Sequence, residues 1–115
     1  MAHILPAEVY DSLRGVQTLA IICYQFGDSG KGKVVDYFSP WADVYARGTG
    51  GGNAGHTVVS NGHSSVHHLL PVGIAYDGEG KTTIMGNGMV LDLGELVREI
   101  EQAAARGIHC DNLMI

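Results

Sequence analysis

The feature that most restricts the fold is a nearly unbroken apolar run over residues 18–26 that ends at Gly27, Asp28, Ser29 and Gly30 and continues at once into residues 31–38. The run is rich in strand formers and far short of the roughly 20 apolar residues that a membrane span needs. It therefore predicts a parallel strand buried on both faces. The segment from Lys31 to Phe38 predicts a short helix, stopped by Ser39 and Pro40. Strand, glycine turn and helix in that order belong to an α/β fold. With 115 residues, 45% of them apolar and 17% charged, the chain has material for a packed interior of about one domain and not for a disordered polymer.

The remaining segments agree with that class. Residues 1–17 read as an extension with a helical turn near residues 7–13, and residues 18–115 as the domain proper. Residues 42–46 can form a second strand. From Gly48 to Gly55 five of eight positions are glycine, which predicts a loop whose backbone comes close to something. Two β-rich runs, residues 56–60 and 63–70, flank Asn61 and Gly62, the strongest short hairpin signal. Residues 82–85 resemble another buried strand, ending at Gly86, Asn87 and Gly88. The clearest helix has Asp92 as its cap and Glu95 to complete a capping box. Leu93, Leu96, Val97, Ile100 and Ala104 form its apolar stripe, and Gly107 ends it. Residues 111–115 begin one more strand. The expected architecture is α/β: a mainly parallel sheet with flanking helices, a phosphate-loop-like strand–turn–helix, and a β-hairpin.

The net charge of −5 argues against nucleic acid and membrane surfaces as partners, since both are met by basic patches. Between Gly27 and Thr57, three acids (Asp28, Asp36, Asp43) face three bases (Lys31, Lys33, Arg47), so this glycine-rich part is locally neutral and can accept an anion. Cys23 and Cys110 lie 87 positions apart with no CxxC pair. Buried, reduced thiols in a cytoplasmic protein are the expectation. The first 15 residues carry Glu8 and Asp11 and lack the basic, greasy pattern of an export signal.

Chemistry concentrates in two stretches. Gly27, Asp28, Ser29, Gly30, Lys31, Gly32 and Lys33 have the phosphate-loop spacing of a glycine, four residues and Gly-Lys. Backbone N–H groups at such a turn converge on one spot and lysine adds charge, which makes a phosphate cradle. Val34 stands where a magnesium-binding Ser or Thr commonly follows, so Asp28 becomes the candidate ligand for magnesium. The alternative is a plain glycine turn with two solvated lysines. In the second stretch, Gly50 to Thr57, small residues let a ligand approach while Asn53 offers an amide and His56 a proton carrier. Alone, that stretch reads as a loop leading into a strand. His63, His67 and His68 lie on the hairpin, and a metal there would need ligands that converge, whereas His67 and His68 point to opposite faces of a strand. Trp41 and the tyrosines read as packing residues.

Together the two stretches resemble the adenylosuccinate synthetase family, which joins inosine monophosphate (IMP) to L-aspartate with GTP. That family has a Gly-Asp-Glu-Gly-Lys-Gly-Lys loop and, 28 residues after its aspartate, the histidine of Asn-Ala-Gly-His-Thr; Asp28 and His56 have the same separation. The likeness continues through His68, Leu69, Leu70 and Pro71, through residues 84–91, and through Arg106, Gly107 and Ile108. The resemblance implies that Asp28 takes the N1 proton of IMP and that His56 is the proton donor in phosphoryl transfer. It implies GTP contacts from residues 27–33 together with Gly55, His56 and Thr57. IMP contacts would come from Asp28, Ser29, Gly30, Lys31, Asn53, Ala54, Gly55 and His56, and magnesium would sit on Asp28 and the Gly55 carbonyl.

Ser29 stands where the family usually has Glu, Thr49 where it has Gln, and Gly52 where it commonly has His. Phage relatives that act on dGMP also have an altered loop but lose the aspartate kept here as Asp28, which favours IMP. The resemblance further implies that guanine-reading residues, an aspartate-binding loop and an arginine donated across a homodimer lie beyond Ile115, so that this chain is the N-terminal portion and inactive alone. Two other classes remain open: a non-catalytic nucleotide-binding module, and a folding or oligomerisation segment with no ligand.

Overall fold

A computed structural model describes residues 4–24, 30–53, 55–60 and 63–115. In chain order these form helix α1 (Ala7–Ser12), helix α2 (Lys31–Tyr37), strands β1 (Val44–Gly50), β2 (His56–Ser60) and β3 (His63–His67), a 3₁₀ helix (Val72–Glu79), strand β4 (Thr82–Met89), helix α3 (Leu93–Ala105) and strand β5 (Leu113–Met114).

Strands β1, β4 and β5 make one sheet with β4 in the centre, and both pairings are parallel. This is the α/β class with a mainly parallel sheet. β2 and β3 pair antiparallel, from His56 opposite His67 to Ser60 opposite His63. Asn61 and Gly62, the expected turn, lie outside the described residues.

The core forms where β4 meets α3. Thr83 and Met85 alternate into it from the strand, Leu96 and Ala103 enter from the helix, and Leu69, Leu70 and Ile74 close it. α3 is held at its start by the Asp92 carboxylate, which accepts from the Glu95 N–H at 2.9 Å. At its end Gly107 adopts φ +79°, and the N–H groups of Gly107 and Ile108 return to the Ala104 and Ala103 carbonyls. The Asp92 cap and the Gly107 stop read from the sequence are those observed.

Four expectations need correction. Residues 18–24 form no strand: Leu19, Ile22 and Tyr24 are exposed, Tyr24 at 97%. Residues 25–29 lie outside the described part. An apolar run becomes a buried strand only where neighbours take up its N–H and C=O groups. Here β1 pairs with β4 and β4 with β5, and no described strand pairs with residues 18–24.

The glycine stretch, secondly, is not all loop, because β1 continues through Gly48, Thr49 and Gly50, and β4 through Gly86 and Gly88. A side chain at Gly86 would sit 3.2 Å from the Arg47 carbonyl oxygen, and one at Gly88 would collide with the Gly48 carbonyl. The close approach foreseen for these glycines is to the neighbouring strand, at a register shift between Arg47 and Thr49.

The buried line of α3, thirdly, is Leu96, Glu99 and Ala103, while Leu93 and Val97 are exposed. The helix is rotated relative to the expected stripe because a carboxylate occupies part of its inner face. Cys23 and Cys110, expected to be buried, are half-buried thiols. No helix among the described residues is long and apolar enough to cross a membrane.

Candidate functional site

The phosphate-loop motif is described from Gly30 onward; Gly27, Asp28 and Ser29 lie outside the described residues. Gly30 adopts the left-handed φ of +72°, which favours glycine, and from there the chain turns into α2. Its carbonyl accepts from the N–H groups of Lys33 and Val34 at 3.0 and 3.3 Å. Lys31, Gly32 and Lys33 thus form the first turn of a helix that buries none of its own side chains.

Neighbouring residues hold α2 in place. The Tyr76 hydroxyl donates to the Asp36 carboxylate. Lys81 Nζ donates to the carbonyls of Ser39 and Ala42 at 2.7 and 2.6 Å, and the Tyr45 hydroxyl donates to Ser39 at 3.1 Å. The rings of Tyr45 and Tyr76 stack with centroids 5.9 Å apart, the packing role expected of tyrosines here. Burial, and then the hydrogen bond to Asp36, push the Tyr76 phenol up to about 12, and burial raises Tyr45 as well. Both hydroxyls therefore remain donors at neutral pH.

The second motif begins where β1 ends. Gly50 has φ +139° and its carbonyl accepts from the Val90 N–H at 2.9 Å. Gly51 is buried against Val90, and a side chain at Gly52 would meet the Glu95 carboxylate at 2.6 Å. Asn53 is exposed, Ala54 is outside the described residues, and Gly55 lies against the His68 ring. His56 opens β2; its backbone is described, opposite His67. Thr57 follows, exposed. α2 and β2 are neighbours in space, so the helix that follows the phosphate-loop motif and the strand that begins at His56 lie on one side of the molecule.

Behind this side is a feature that the sequence reading missed. Glu99, only 5% exposed, points its carboxylate at a stretch with no regular structure. Oε1 accepts from the His68 N–H at 2.6 Å, both oxygens accept from Leu69 at 3.2 Å, and Oε2 accepts from Leu70 at 2.9 Å. From the opposite direction Arg47 Nη1 donates to the His68 and Leu69 carbonyls at 2.7 and 3.1 Å. The available signal was spacing: Glu99 is three residues after Leu96 and four before Ala103, which puts it on the buried line.

A cleft of about 370 Å³, lined by Val66, His68, Glu95, Arg98, Glu99 and Gln102, opens between β3 and α3. His67 is buried with Nδ1 3.8 Å from Glu99 Oε2. Burial holds its pKa below the ordinary value, against the pull of Glu99. No cluster of three metal-ligating side chains occurs among the described residues.

The profile of the adenylosuccinate synthetase family matches residues 20–115. The chain belongs to this family. The adenylosuccinate synthetases of Heliobacterium modesticaldum and of a Thermoanaerobacter strain are 45% and 48% identical to it over 100 residues, 87% of this chain. The chain spans about 23% of the length of those relatives. Among solved structures, the fully ligated adenylosuccinate synthetase of Plasmodium falciparum superposes with a TM-score of 0.65 at 41% identity, covering 78% of this chain and 20% of that one. The succinoaminodeoxyadenylate synthetase of cyanophage S-2L, bound to dGMP and dATP, gives a TM-score of 0.54 at 32% identity, covering 67% of this chain and 22% of that one.

Proposed function

We propose that residues 18–115 supply the phosphoryl-transfer centre of an adenylosuccinate synthetase, a GTP-dependent ligase that forms a C–N bond between IMP and L-aspartate in the cytoplasm and acts as a homodimer at full length. The observation that supports this most is the adjacency of α2, the helix that Lys31 to Lys33 open, and β2, the strand that starts at His56.

In this reading the amides and lysines of residues 27–33, with Gly55, His56 and Thr57, hold the GTP phosphates, while residues 28–31 and 53–56 hold IMP. Asp28 accepts the N1 proton of IMP, the released electron pair makes O6 nucleophilic, and O6 attacks the γ-phosphorus as GDP leaves. His56 donates a proton to the phosphoryl oxygens in transfer. The aspartate amine then attacks C6 of the 6-phosphoryl-IMP and inorganic phosphate departs. Phosphoryl transfer needs positioning and charge neutralisation more than covalent help, and helix-start amides with lysines provide both. The Asp28 carboxylate and the Gly55 carbonyl are hard oxygen donors of the kind magnesium takes, and would hold that ion to offset phosphate charge.

The test is a chimera in which residues 18–115 replace the matching part of the Heliobacterium modesticaldum synthetase. It is expected to form adenylosuccinate from IMP, aspartate and GTP. Asp28→Asn is expected to lower kcat by about 10²–10⁴ with little change in KM for GTP, because the amide cannot accept the N1 proton. An Asp28→Asn chimera with near-normal turnover contradicts the assignment.

One observation favours a second reading of the substrate. Ser29 is smaller than, and lacks the charge of, the Glu that the family resemblance puts beside the base, which in this reading would leave room for a 2-amino group next to N1. The ratio of kcat/KM for IMP and dGMP in the chimera is expected to fall toward dGMP relative to its Ser29→Glu variant. An unchanged ratio removes that reading.

A further inference from the structure

We propose that Glu99 is a positioning residue for the phosphoryl-transfer centre: with Arg47 it fixes the His68 peptide, and His68 in turn sets the backbone at Gly55 and His56. The inference rests on the reading of His56 as proton donor.

A carboxylate that is 5% exposed on the inner face of a helix is costly unless its charge is answered by hydrogen bonds. Here three consecutive N–H groups answer it, those of His68, Leu69 and Leu70. An apolar side chain could fill the same volume, but it would leave those three donors without acceptors and would not dictate where the peptide lies. The carboxylate does dictate it. The carbonyls of His68 and Leu69 are fixed from β1 by Arg47 Nη1, so the segment is held through both polarities of its backbone by side chains from two separate elements. It cannot slide along the helix without losing bonds to one or the other.

The fixed segment reaches the proposed centre by two routes. His68 directly follows the last residue of β3, and His67 pairs with His56 across the ladder, so the depth at which His56 enters β2 is set by where the chain leaves β3. The His68 ring also lies against Gly55: a Cβ there would be 3.4 Å from Cε1 and 3.5 Å from Nδ1, with Val66 Cγ1 at 3.7 Å. The peptide between Gly55 and His56, whose carbonyl is the proposed magnesium ligand, is bounded by the ladder and by the ring. Both supports originate at the same hydrogen bonds to Glu99. Glu99 acts through residues 67–70, so it sets geometry and is not a catalytic group.

Two measurements test this. In the chimera, Glu99→Gln keeps the size of the side chain but replaces one acceptor oxygen with a donor. It is expected to lower kcat about 10-fold with KM for GTP changed by less than about 2-fold, as for a small misplacement of a reacting group. In a His56→Asn background the same change is expected to cost less, about 2- to 3-fold, because the proton donor is gone and only the Gly55 carbonyl is left to position. Equal losses in both backgrounds overturn the proposal.

Independently of activity, amide exchange in the 115-residue chain is expected to quicken in Glu99→Gln at residues 68–70 and along β2, with β4 and α3 unchanged. Exchange that quickens at residues 68–70 alone, or uniformly through the chain, also overturns it. An inactive parent chimera counts against the synthetase reading, while the exchange pattern still decides the role of Glu99. If Glu99→Gln does not fold, Arg47→Gln removes the support from the carbonyl side and is judged by the same outcomes.

Discussion

Leu69 and Leu70 are completely buried on a stretch with no regular secondary structure, whereas Ile22 and Tyr24, in an apolar run that reads as a strand, are exposed at 69% and 97%. The side chains do not explain the difference, since both segments are apolar enough to be inside. The backbone does. At residues 68–70 every N–H has an acceptor on Glu99, and the first two carbonyls have a donor on Arg47. Residues 18–24 have no ladder partner among the described strands. Burying a peptide without a partner costs more than its side chains return, so the chain buries what it can hydrogen-bond.

The strongest way to break this comparison is Glu99→Ala, which leaves the buried N–H groups of Leu69 and Leu70 and the half-buried one of His68 without acceptors. It is expected to lower stability by about 3–5 kcal/mol in urea unfolding, or to prevent folding. A loss below about 1 kcal/mol would mean that the segment is held by its side chains after all. Leu69→Ala comes next, at about 2–5 kcal/mol for a fully buried leucine.

pH sharpens the comparison from another side. The pKa of buried His67 is lowered from 6.5, mainly by burial and slightly by Arg106 and His68, with Glu99 opposing. The unfolded chain therefore binds the proton more readily than the folded one. Stability is at its full value above about pH 6.5 and falls as the pH drops through it. His67→Leu is expected to flatten that decline in thermal unfolding; an unchanged slope would assign the acid sensitivity elsewhere. The smallest effect is expected from Ile22→Lys, within about 0.5 kcal/mol, because an exposed side chain has little to lose. A loss comparable to that of Leu69→Ala would show that residues 18–24 pack in solution.

What could be read in advance was local. The caps of α3 at Asp92 and Gly107, the extent of α2, and the antiparallel pairing of residues 56–60 with residues 63–67 depend on residues close in sequence. The turn at Gly30 that opens α2 was legible for the same reason, since it depends on consecutive residues. Glu99 and Arg47 were not legible, because each meets residues 68–70 from more than 20 positions away. Nothing within a window around Glu99 states which amides it will meet. The glycines from Gly48 to Gly50 misled in an instructive way: they belong to β1 and not to a loop, and the strand contact there requires bare Gly86 and Gly88 on β4, since a side chain at either would meet the backbone of Arg47 or Gly48.

The claim that the two motifs form one phosphate site is tested most directly by titrating the labelled 115-residue chain with GTP and magnesium while following backbone amide shifts. The amides of Lys31, Gly32 and Lys33 and those of Gly55, His56 and Thr57 are expected to move together, with one midpoint, and both sets are expected to respond more weakly to guanosine without phosphates. Shifts at only one of the two segments, or two separate midpoints, would contradict a shared site.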